Sequence, residues 1–318
     1  MKIVNGKVIG MAIKDKKKLN KSMASAVKKH HENAEWFSEE YNGGSGMRLK
    51  VKKHLLSTTS GYQKIDIFDS VKPWGRVLAL DNTFQLTTGD QHFYHEMLVH
   101  PVMSKHPSPK NVLIIGGGDG GAAKEVLRYK EAERVVLIEI DSDVVRYCKQ
   151  YLPTVGAWSD RRLEFECYDG ALFVKELASC EPGDFKFDII IIDSSDPVGP
   201  SAALFTNKFY KNCIKCLSKN GILITQSGSP FTQRKEFIHI VETLRKEFIS
   251  VWPYFGTVPI YGAGPWSWTW ASVRGSGTFL SPHMEIVREP AGVKLWNPMV
   301  DKAAFDSIST ELCKELDM

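Results

Sequence analysis

The chain contains no long hydrophobic run. No segment approaches the roughly 18 consecutive apolar residues that a membrane-spanning helix needs, and the first residues lack the uninterrupted apolar stretch of a secretory signal. With 43% of its 318 residues hydrophobic, the chain can still bury one large core, or a core and a smaller domain. These features predict a globular protein of the cytoplasm.

Cysteine is also scarce. Six cysteines stand at positions 148, 167, 180, 213, 216 and 313, too few for a disulfide scaffold, so reduced thiols are expected. Cys213 and Cys216 have C-x-x-C spacing, but no second cysteine or histidine pair accompanies them at metal spacing. They fall within a segment of helical character, 205–217, and we predict that they pack in that helix.

The chain has no uniform excess of one charge sign. The formal net charge is +4, yet residues 1–35 hold nine lysines against three acids, while the remaining residues hold 32 basic and 34 acidic groups. The basic extension, residues 1–35, lacks interleaved aromatic residues, which favours a solvated or loosely docked segment over an arm that binds a polyanion. Neither a nucleic acid nor a membrane is expected as a partner.

The region from 36 to 105 predicts a small N-terminal β domain. Short alternating segments at 47–55, 63–69 and 75–80 are separated by turn residues, as in an antiparallel meander. A helical pattern from Tyr94 to Ser104 follows.

Residues 106–318 alternate between strand and helix patterns, which predicts a second, catalytic domain. Strands are predicted at 112–115, 134–138, 163–167, 188–192, 222–225, 250–256 and 266–273, and helices at 120–130, 143–151, 170–178, 205–217 and 232–248. Such alternation is typical of a parallel sheet covered by helices on both faces, in which ligands bind at the carboxyl ends of the strands.

The first chemical motif is a glycine loop after an apolar strand, Asn111-Val-Leu-Ile-Ile-Gly-Gly-Gly-Asp-Gly-Gly121. Loops of this kind bring backbone N–H groups close to phosphates. Here the carboxylate of Asp119 would repel a phosphate and attract a cation. The loop therefore predicts a nucleotide-like ligand that carries positive charge and no pyrophosphate, a description that S-adenosylmethionine and its relatives fit.

Two further acids follow the next two predicted strands. Glu139 lies about 20 residues past the loop, where an acid can accept hydrogen bonds from ribose hydroxyls. Asp169, followed by Gly170, lies where an adenine-binding acid is common in folds that bind adenosyl cofactors. Alternatively, Glu139 is a surface acid beside a helix that Asp141 or Asp143 caps, and Asp169 caps the next helix, a role compatible with adenine contact.

The strongest motif is Asp-Ser-Ser-Asp-Pro-Val-Gly-Pro, residues 193–200, directly after an apolar strand. Asp193 and Asp119 should face one crevice, because both follow strands of the same sheet at its carboxyl edge. Asp196 sits in a turn closed by proline and glycine. Two or three carboxylates in one crevice are costly unless cations offset them. A capping loop with two solvated acids is the alternative.

These motifs, in this order and spacing, resemble the spermidine synthase family of polyamine aminopropyltransferases. The resemblance runs from Trp36 to Phe305, nearly the whole chain except the basic extension. It implies an α/β fold, a Rossmann-like sheet of the S-adenosylmethionine-dependent methyltransferase type preceded by a small antiparallel β domain. It also implies aminopropyl transfer from decarboxylated S-adenosylmethionine to a diamine, putrescine first, giving spermidine and 5′-methylthioadenosine.

The resemblance further implies roles for individual residues. Asp193 would be the base that takes a proton from the attacking amine, Asp119 would hold the ammonium of the donor, and the loop 194–204 would close over both ligands. The residues beside the amine would be Tyr94, His95, Asp119, Ser194, Asp196 and Tyr261. The residues beside the donor would be Gln63, Gly116, Gly118, Asp119, Glu139, Asp169, Gly170 and Pro200.

Departures from the family pattern cluster around the acceptor. Residues 258–264 read Val-Pro-Ile-Tyr-Gly-Ala-Gly where many members read Ile-Pro-Thr-Tyr-Pro-Ser-Gly, and residues 90–93 read Asp-Gln-His-Phe in place of the usual Asp-Glu-Phe. Gly228 stands where some members carry an acid. The acceptor is therefore open among putrescine, agmatine, cadaverine and spermidine. The alternating tryptophans at 266, 268 and 270 are expected in the core and at an interface.

Two other functions remain open at this point, a methyltransferase on the same fold and a binding module without catalysis. The expected reaction needs no metal and no cofactor, since decarboxylated S-adenosylmethionine is itself a substrate. A homodimer or homotetramer is expected from the family resemblance.

Overall fold

The computed structural model describes residues 3–4, 7–8, 35–41, 44–180, 186–197, 199–262, 264–273 and 280–318. The short strands β1 (Ile3–Val4) and β2 (Lys7–Val8) pair antiparallel. Most of the basic extension lies outside the described residues, so its solvated state stays a prediction.

A five-stranded antiparallel sheet follows. Its strands pair in chain order: β3 (Trp36–Tyr41), β4 (Ser45–Thr59), β5 (Lys64–Ser70), β6 (Arg76–Leu80) and β7 (Thr83–Thr87). Strands β4, β5 and β6 overlap the three predicted segments, whereas β3 and β7 were not predicted. Between β6 and β7, Asp81 and Asn82 have φ values of 48° and 64°, the left-handed geometry of a two-residue hairpin turn.

Helix α1 (Gln91–Lys105) links the two sheets and contains the predicted helix at 94–104. Every residue of α1 from Tyr94 to Lys105 is buried. The helix packs against α2 (Gly121–Val126), and apolar side chains of both helices share one core with the second sheet. The polar residues in this part of α1 therefore contact other protein groups rather than bulk water.

The second sheet has seven strands in the order β10-β9-β8-β11-β12-β14-β13. The strands are β8 (Asn111–Gly116), β9 (Arg134–Glu139), β10 (Leu163–Cys167), β11 (Phe187–Asp193), β12 (Leu217–Gly228), β13 (Ser250–Gly256) and β14 (Trp266–Ser272). Strands β10, β9, β8, β11 and β12 are parallel to their neighbours in that run, but β14 is antiparallel to both β12 and β13. The sequence pattern did not predict this reversal.

Helices cover both faces of the second sheet. After α1 and α2 they are α3 (Ser142–Tyr151), α4 (Gly170–Leu177), a 3₁₀ helix (Gly199–Phe205), α5 (Asn207–Cys216), α6 (Arg234–Arg245), α7 (Pro298–Asp306) and α8 (Thr310–Glu315). Strand β11 contributes Ile189 and Ile191 to one core and Ile190 and Ile192 to the other. This alternation is expected of a parallel strand buried on both sides. No helix among the described residues is long and apolar enough to cross a membrane.

The C-x-x-C pair lies on α5. Cys213 and Cys216 are both buried with free thiols and pack among the apolar residues of one core. The prediction that they pack in a helix is confirmed.

Strands β8 and β11 are neighbours although β9 and β10 lie between them in the chain. The chain turns to one side of the sheet after β8 and to the other side after β11, which opens a crevice at their carboxyl ends. Gly116 and Asp193, the last residues of the two strands, pair in register there. The fold thus brings the glycine loop and the Asp193 motif together.

A segment near the carboxyl terminus binds the middle of α1. The buried carboxylate of Glu96 accepts hydrogen bonds from the backbone N–H groups of residues 294, 295 and 296 at 2.8, 2.7 and 2.9 Å. Trp296, which follows, is 2% exposed. Glu96 therefore anchors this segment beside the part of α1 that carries Tyr94 and His95.

Replacing Glu96 by glutamine should lower the free energy of unfolding by about 1–3 kcal/mol. The amide presents an N–H₂ group to backbone donors, so at least one buried N–H loses its acceptor. Urea titration followed by fluorescence measures the change. The exposed Glu289 supplies the control, Glu289→Gln. Equal unfolding midpoints for the two variants would contradict the anchoring role.

Candidate active site

Asp193 ends β11 at the crevice and is 9% exposed. Its Oδ1 atom accepts a hydrogen bond of 2.8 Å from the hydroxyl of Tyr94 on α1. Its Oδ2 atom is buried and has no hydrogen-bond partner. Burial, reinforced by the charge of Asp119, raises the pKa of Asp193 to about 6. A buried carboxylate with one unpaired oxygen is suited to take a proton from a ligand.

The glycine loop fits closely around Asp193. The backbone N–H of Gly117 donates to the Asp193 carbonyl at 2.7 Å. Gly117 has φ +69°, and a Cβ atom there would lie 2.8 Å from Asp193 Oδ2. Only glycine combines that backbone conformation with free space next to the carboxylate oxygen.

His95 and Asp119 form an ion pair beside Asp193. His95 Nε2 lies 3.2 Å from Asp119 Oδ1, and the other ring nitrogen of His95 lies 2.7 Å from Gln91 Oε1. The backbone N–H of Gly121 also donates to Asp119 Oδ1, at 2.6 Å. An imidazolium suits this arrangement because both ring nitrogens face acceptors.

The same contacts shift both pKa values. Burial alone lowers the pKa of His95, but the charge and hydrogen bond of Asp119 outweigh it and raise that pKa to about 9. Burial alone raises the pKa of Asp119, but the charge of His95 outweighs it and lowers that pKa. With Oδ1 engaged by His95 and Gly121, Oδ2 of Asp119 is left for a cationic ligand.

The three groups also have the spacing of metal ligands. One ligand atom each from His95, Asp119 and Asp193 lies within 4.8 Å of the others. This donor set could hold a divalent cation, and it could equally hold ammonium groups. The expectation of a metal-free reaction therefore stays a prediction.

Glu139 ends β9 next to the glycine loop, as its position in the sequence predicts. Its Oε1 atom accepts the backbone N–H of Asp141 at 2.9 Å, and its Oε2 atom lies 3.1 Å from the point where a Cβ of Gly118 would stand. Burial raises the pKa of Glu139 to about 7. The carboxylate is thus positioned at the loop, where it could accept hydrogen bonds from hydroxyls of a ligand.

Gln63 crosses from the N-terminal sheet to the second sheet. Its Nε2 atom donates to Asp141 Oδ2 at 3.0 Å, and the hydroxyl of Ser60 donates to the same oxygen at 2.6 Å. Asp141 also caps α3 by accepting the backbone N–H of Asp143 at 3.1 Å. The cap expected of Asp141 is present, and the contact from the N-terminal sheet was not predicted.

Asp169 and Gly170 lie at the start of α4, and Pro200 lies in the 3₁₀ helix after β11. Asp169 caps α4 by accepting the N–H groups of residues 171 and 172 at 2.8 and 3.0 Å. Gly170 packs on Ile115 of β8, and Pro200 is exposed in the 3₁₀ helix. The capping alternative for Asp169 is therefore present, and contact of these residues with adenine stays a prediction.

Ser194 and Tyr261 make contacts that their predicted roles did not include. The hydroxyl of Ser194 donates to the Ser195 carbonyl at 3.1 Å. The hydroxyl of Tyr261 donates to the Gln85 carbonyl at 2.7 Å. Its ring meets the ring of Tyr94 edge to face, with centroids 5.9 Å apart. Tyr261 thus offers its ring to the crevice and its hydroxyl to the N-terminal sheet.

The tryptophans of β14 belong mainly to the core. Trp268 and Trp270 are fully buried, and Trp268 lies 5.8 Å from the ring of Tyr94. Trp266 is half-buried against Tyr261, with ring centroids 4.4 Å apart. The expected core placement is confirmed for the two buried residues.

Glu39 of β3 is an acid of the crevice that the sequence interpretation missed. Its Oε2 atom accepts the backbone N–H of Phe84 at 3.0 Å. Its pKa is raised to about 7, first by burial, while the Phe84 N–H opposes the rise and the charge of Asp196 adds to it. Glu39 of the N-terminal sheet and Asp196 of the loop after β11 are therefore close enough to interact electrostatically. Glu39 belongs to no sequence motif. Only the alternating pattern of β3 could have indicated that its side chain is partly buried.

Comparison with known proteins agrees with this geometry. The family model described as the spermine/spermidine synthase domain matches residues 91–280, and the spermidine synthase tetramerisation domain matches residues 35–88. A polyamine aminopropyltransferase of Prochlorococcus marinus (strain NATL2A) is 40% identical over 286 residues, 89% of this chain and 96% of the relative. One of Thermoanaerobacter sp. (strain X514) is 40% identical over 276 residues, 85% and 94% of the two chains.

Solved structures agree as well. A spermidine synthase in complex with the transition-state analogue AdoDATO has a TM-score of 0.81 and 34% identity, covering 89% of this chain and 95% of its own. The spermidine synthase of Thermotoga maritima has a TM-score of 0.78 and 34% identity, covering 89% and 94%. The α/β fold with its preceding antiparallel sheet is thereby confirmed. The chain belongs to the spermine/spermidine synthase family and is an enzyme of the polyamine aminopropyltransferase class.

Proposed function

We propose that this enzyme transfers the aminopropyl group of decarboxylated S-adenosylmethionine to putrescine, giving spermidine and 5′-methylthioadenosine. The observation that carries the proposal is the buried, unpartnered Oδ2 of Asp193, flanked by the Tyr94 hydroxyl and the His95 and Asp119 pair. A protonated amine that must lose a proton before it can attack fits such a group. Two aminopropyltransferases described above are 40% identical to this chain over 286 and 276 residues, which supports the reaction class.

The donor would lie along the glycine loop. Glu139 would accept hydrogen bonds from the ribose hydroxyls, and Asp169 with Gly170 would border the adenine. Asp119 would hold the ammonium of the aminopropyl arm through Oδ2. The intact cofactor would bring its own carboxylate up to Asp119, which gives a physical reason for using the decarboxylated form.

The acceptor would attack the carbon next to the sulfonium. Its amine enters as an ammonium, and Asp193 takes one proton to free the nitrogen lone pair. The C–N bond forms as the C–S bond breaks, and the bonding pair goes to sulfur, which leaves as a neutral thioether. Tyr94 holds the Asp193 carboxylate in place. Much of the remaining rate gain would come from the alignment of nitrogen, carbon and sulfur.

The far ammonium of the acceptor would lie between Asp196 and Glu39. The charge of Asp196 helps to raise the pKa of Glu39, which indicates that the two acids are near each other, and a cation between them would reduce the repulsion. Ser194 and the ring of Tyr261 would border the same channel, and Pro200 with the loop 194–204 would cover both ligands.

The proposal includes no metal and no cofactor. The sulfonium is already a good leaving group, and Asp193 handles the proton, so the activity should persist in a chelator. A homodimer or homotetramer is proposed from the match of residues 35–88 to the tetramerisation domain, and light scattering tests it. A cytoplasmic location is proposed because the six cysteines, all free, suit a reducing compartment.

The test of the proposed function is release of methylthioadenosine by the purified protein. Decarboxylated S-adenosylmethionine is supplied with putrescine, cadaverine, agmatine or spermidine in turn, and putrescine should give the highest kcat/KM. Product that forms without any amine, or none with all four, would rule out aminopropyl transfer to these amines. A higher kcat/KM for another amine would keep the reaction and replace the acceptor.

The proton transfer predicts a specific pH profile. Because Asp193 must be ionised and its pKa is raised to about 6, kcat/KM for the acceptor should fall tenfold per pH unit below about pH 6. Above pH 7 it should be level up to about pH 8, because the ammonium form binds and loses its proton on the enzyme. If kcat/KM instead rose tenfold per pH unit from pH 7 to 8, with no break near pH 6, only the neutral amine would bind. That result would contradict Asp193 as the base.

A further inference from the structure

A glutamine outside the proposed reacting groups connects the two loops at the acceptor end of the crevice. Gln233, the residue just before α6, donates from Nε2 to Asp196 Oδ2 in the loop after β11. Its Oε1 atom accepts the backbone N–H of Ser229, in the loop after β12, at 2.8 Å. The Gln233 side chain therefore bridges the loop that would cover the ligands and a loop on the fixed sheet.

The orientation of the Gln233 amide follows from its partners. The Ser229 N–H can only donate, so the amide oxygen must face it. The amide nitrogen must then face Asp196, whose carboxylate only accepts when ionised. A glutamate at this position would lack the donor, and an apolar side chain would satisfy neither partner.

Gly228 leaves the space that this amide fills. A Cβ atom on Gly228 would lie 2.6 Å from Gln233 Oε1, and its φ of +73° also favours glycine. Any side chain at 228 would therefore displace the Gln233 amide from Asp196. The hydrogen bonds of Gln233 therefore depend on glycine at position 228.

From this geometry we infer that Gln233 is a positioning residue for acceptor selectivity, which acts by holding the Asp196 carboxylate in one orientation. With Oδ2 of Asp196 engaged, Oδ1 is the atom left for the far ammonium of the acceptor. The distance from Asp193 to that oxygen then sets the length of amine that fits. The inference rests on the proposed function, because it concerns the acceptor of that reaction.

The surrounding charges support the same role. Burial raises the pKa of Asp196, the Gln233 hydrogen bond lowers it, and the charge of Glu236 raises it. Gln233 thus favours the ionised form of Asp196, which binds a cation. As a neutral donor it does so without adding a positive charge that would compete with the substrate.

The experiment compares Gln233→Met, which keeps the volume and removes both hydrogen bonds, with Gly228→Ala, which keeps Gln233 and fills its space. The control is Gln150→Met, at an exposed position on α3. Four quantities are measured for each variant: the KM for putrescine, the KM for the donor, kcat, and the ratio of kcat/KM between putrescine and cadaverine. Putrescine and cadaverine differ by one methylene.

Both test variants should raise the putrescine KM about tenfold or more, the loss expected for a hydrogen bond to a charged group. The putrescine to cadaverine ratio should move toward one, while donor KM and kcat stay at the values of the control. If one variant fails to fold, the other still decides. The role of Gln233 would be overturned if the putrescine KM and the putrescine to cadaverine ratio of kcat/KM did not change. It would also be overturned if donor KM rose and kcat fell as much as the putrescine KM rose. An unmodified enzyme that turns over none of the four amines would instead overturn the proposed function, and the inference with it.

Discussion

Replacing Asp193 by asparagine is expected to lower kcat by about 10²–10⁴-fold, the usual contribution of a positioned base. That range corresponds to about 2.7–5.4 kcal/mol of transition-state stabilisation. Asparagine can still accept the Tyr94 hydrogen bond at Oδ1, so the side chain should stay in place. At the position of Oδ2 it presents an amide N–H₂, which cannot accept a proton from the ammonium of the acceptor.

Single-turnover kinetics separate this loss from effects on binding. The affinity for methylthioadenosine, measured by calorimetry, should be unchanged, because Asp193 is proposed to contact the acceptor rather than the nucleoside. Asp306→Asn, at an exposed position on α7, is the control for removing one carboxylate. Full turnover by Asp193→Asn would remove Asp193 as the base, and loss of nucleoside affinity would indicate a structural defect instead.

Much of the second sheet is predictable from the sequence. The predicted boundaries of β10 agree with the structure, and those of β8 and β11 differ by one residue at either end. The reason is that strands buried on both faces form continuous apolar runs between polar loops, a signal that is local in the chain. The crevice acids Asp119 and Asp193 were placed by the same logic, since they follow such runs directly.

The rest depends on contacts between distant segments. Nothing local indicates that β14 inserts antiparallel between β12 and β13, because that pairing depends on the partner strands. The charge of Asp196 acts on Glu39 of β3, although more than a hundred residues separate the two in the chain. The hydrogen bond from Gln63 to Asp141 likewise spans 78 residues of sequence. Single-sequence patterns carry no information about such pairs.

Replacing Asp119 by asparagine should weaken binding of decarboxylated S-adenosylmethionine roughly ten- to a hundredfold, the range for losing a hydrogen bond to a charged group. The physical reason is that the ammonium of the aminopropyl arm would lose the carboxylate that is proposed to bind it. Methylthioadenosine lacks that arm, so its affinity should hardly change, and the pair of ligands serves as an internal control in calorimetry.

The same variant should relax discrimination between the two forms of the donor. In the proposed donor position the carboxylate of intact S-adenosylmethionine would meet Asp119, whereas in the variant it would meet a neutral amide. The ratio of the two dissociation constants should therefore move toward one. His95 also loses the charge and hydrogen bond of Asp119, so its pKa should fall. If the variant bound decarboxylated S-adenosylmethionine, the intact form and methylthioadenosine more weakly by the same factor, a specific contact with the ammonium would be contradicted. If the natural enzyme bound the intact form more tightly than the decarboxylated form, a methyltransferase would be favoured.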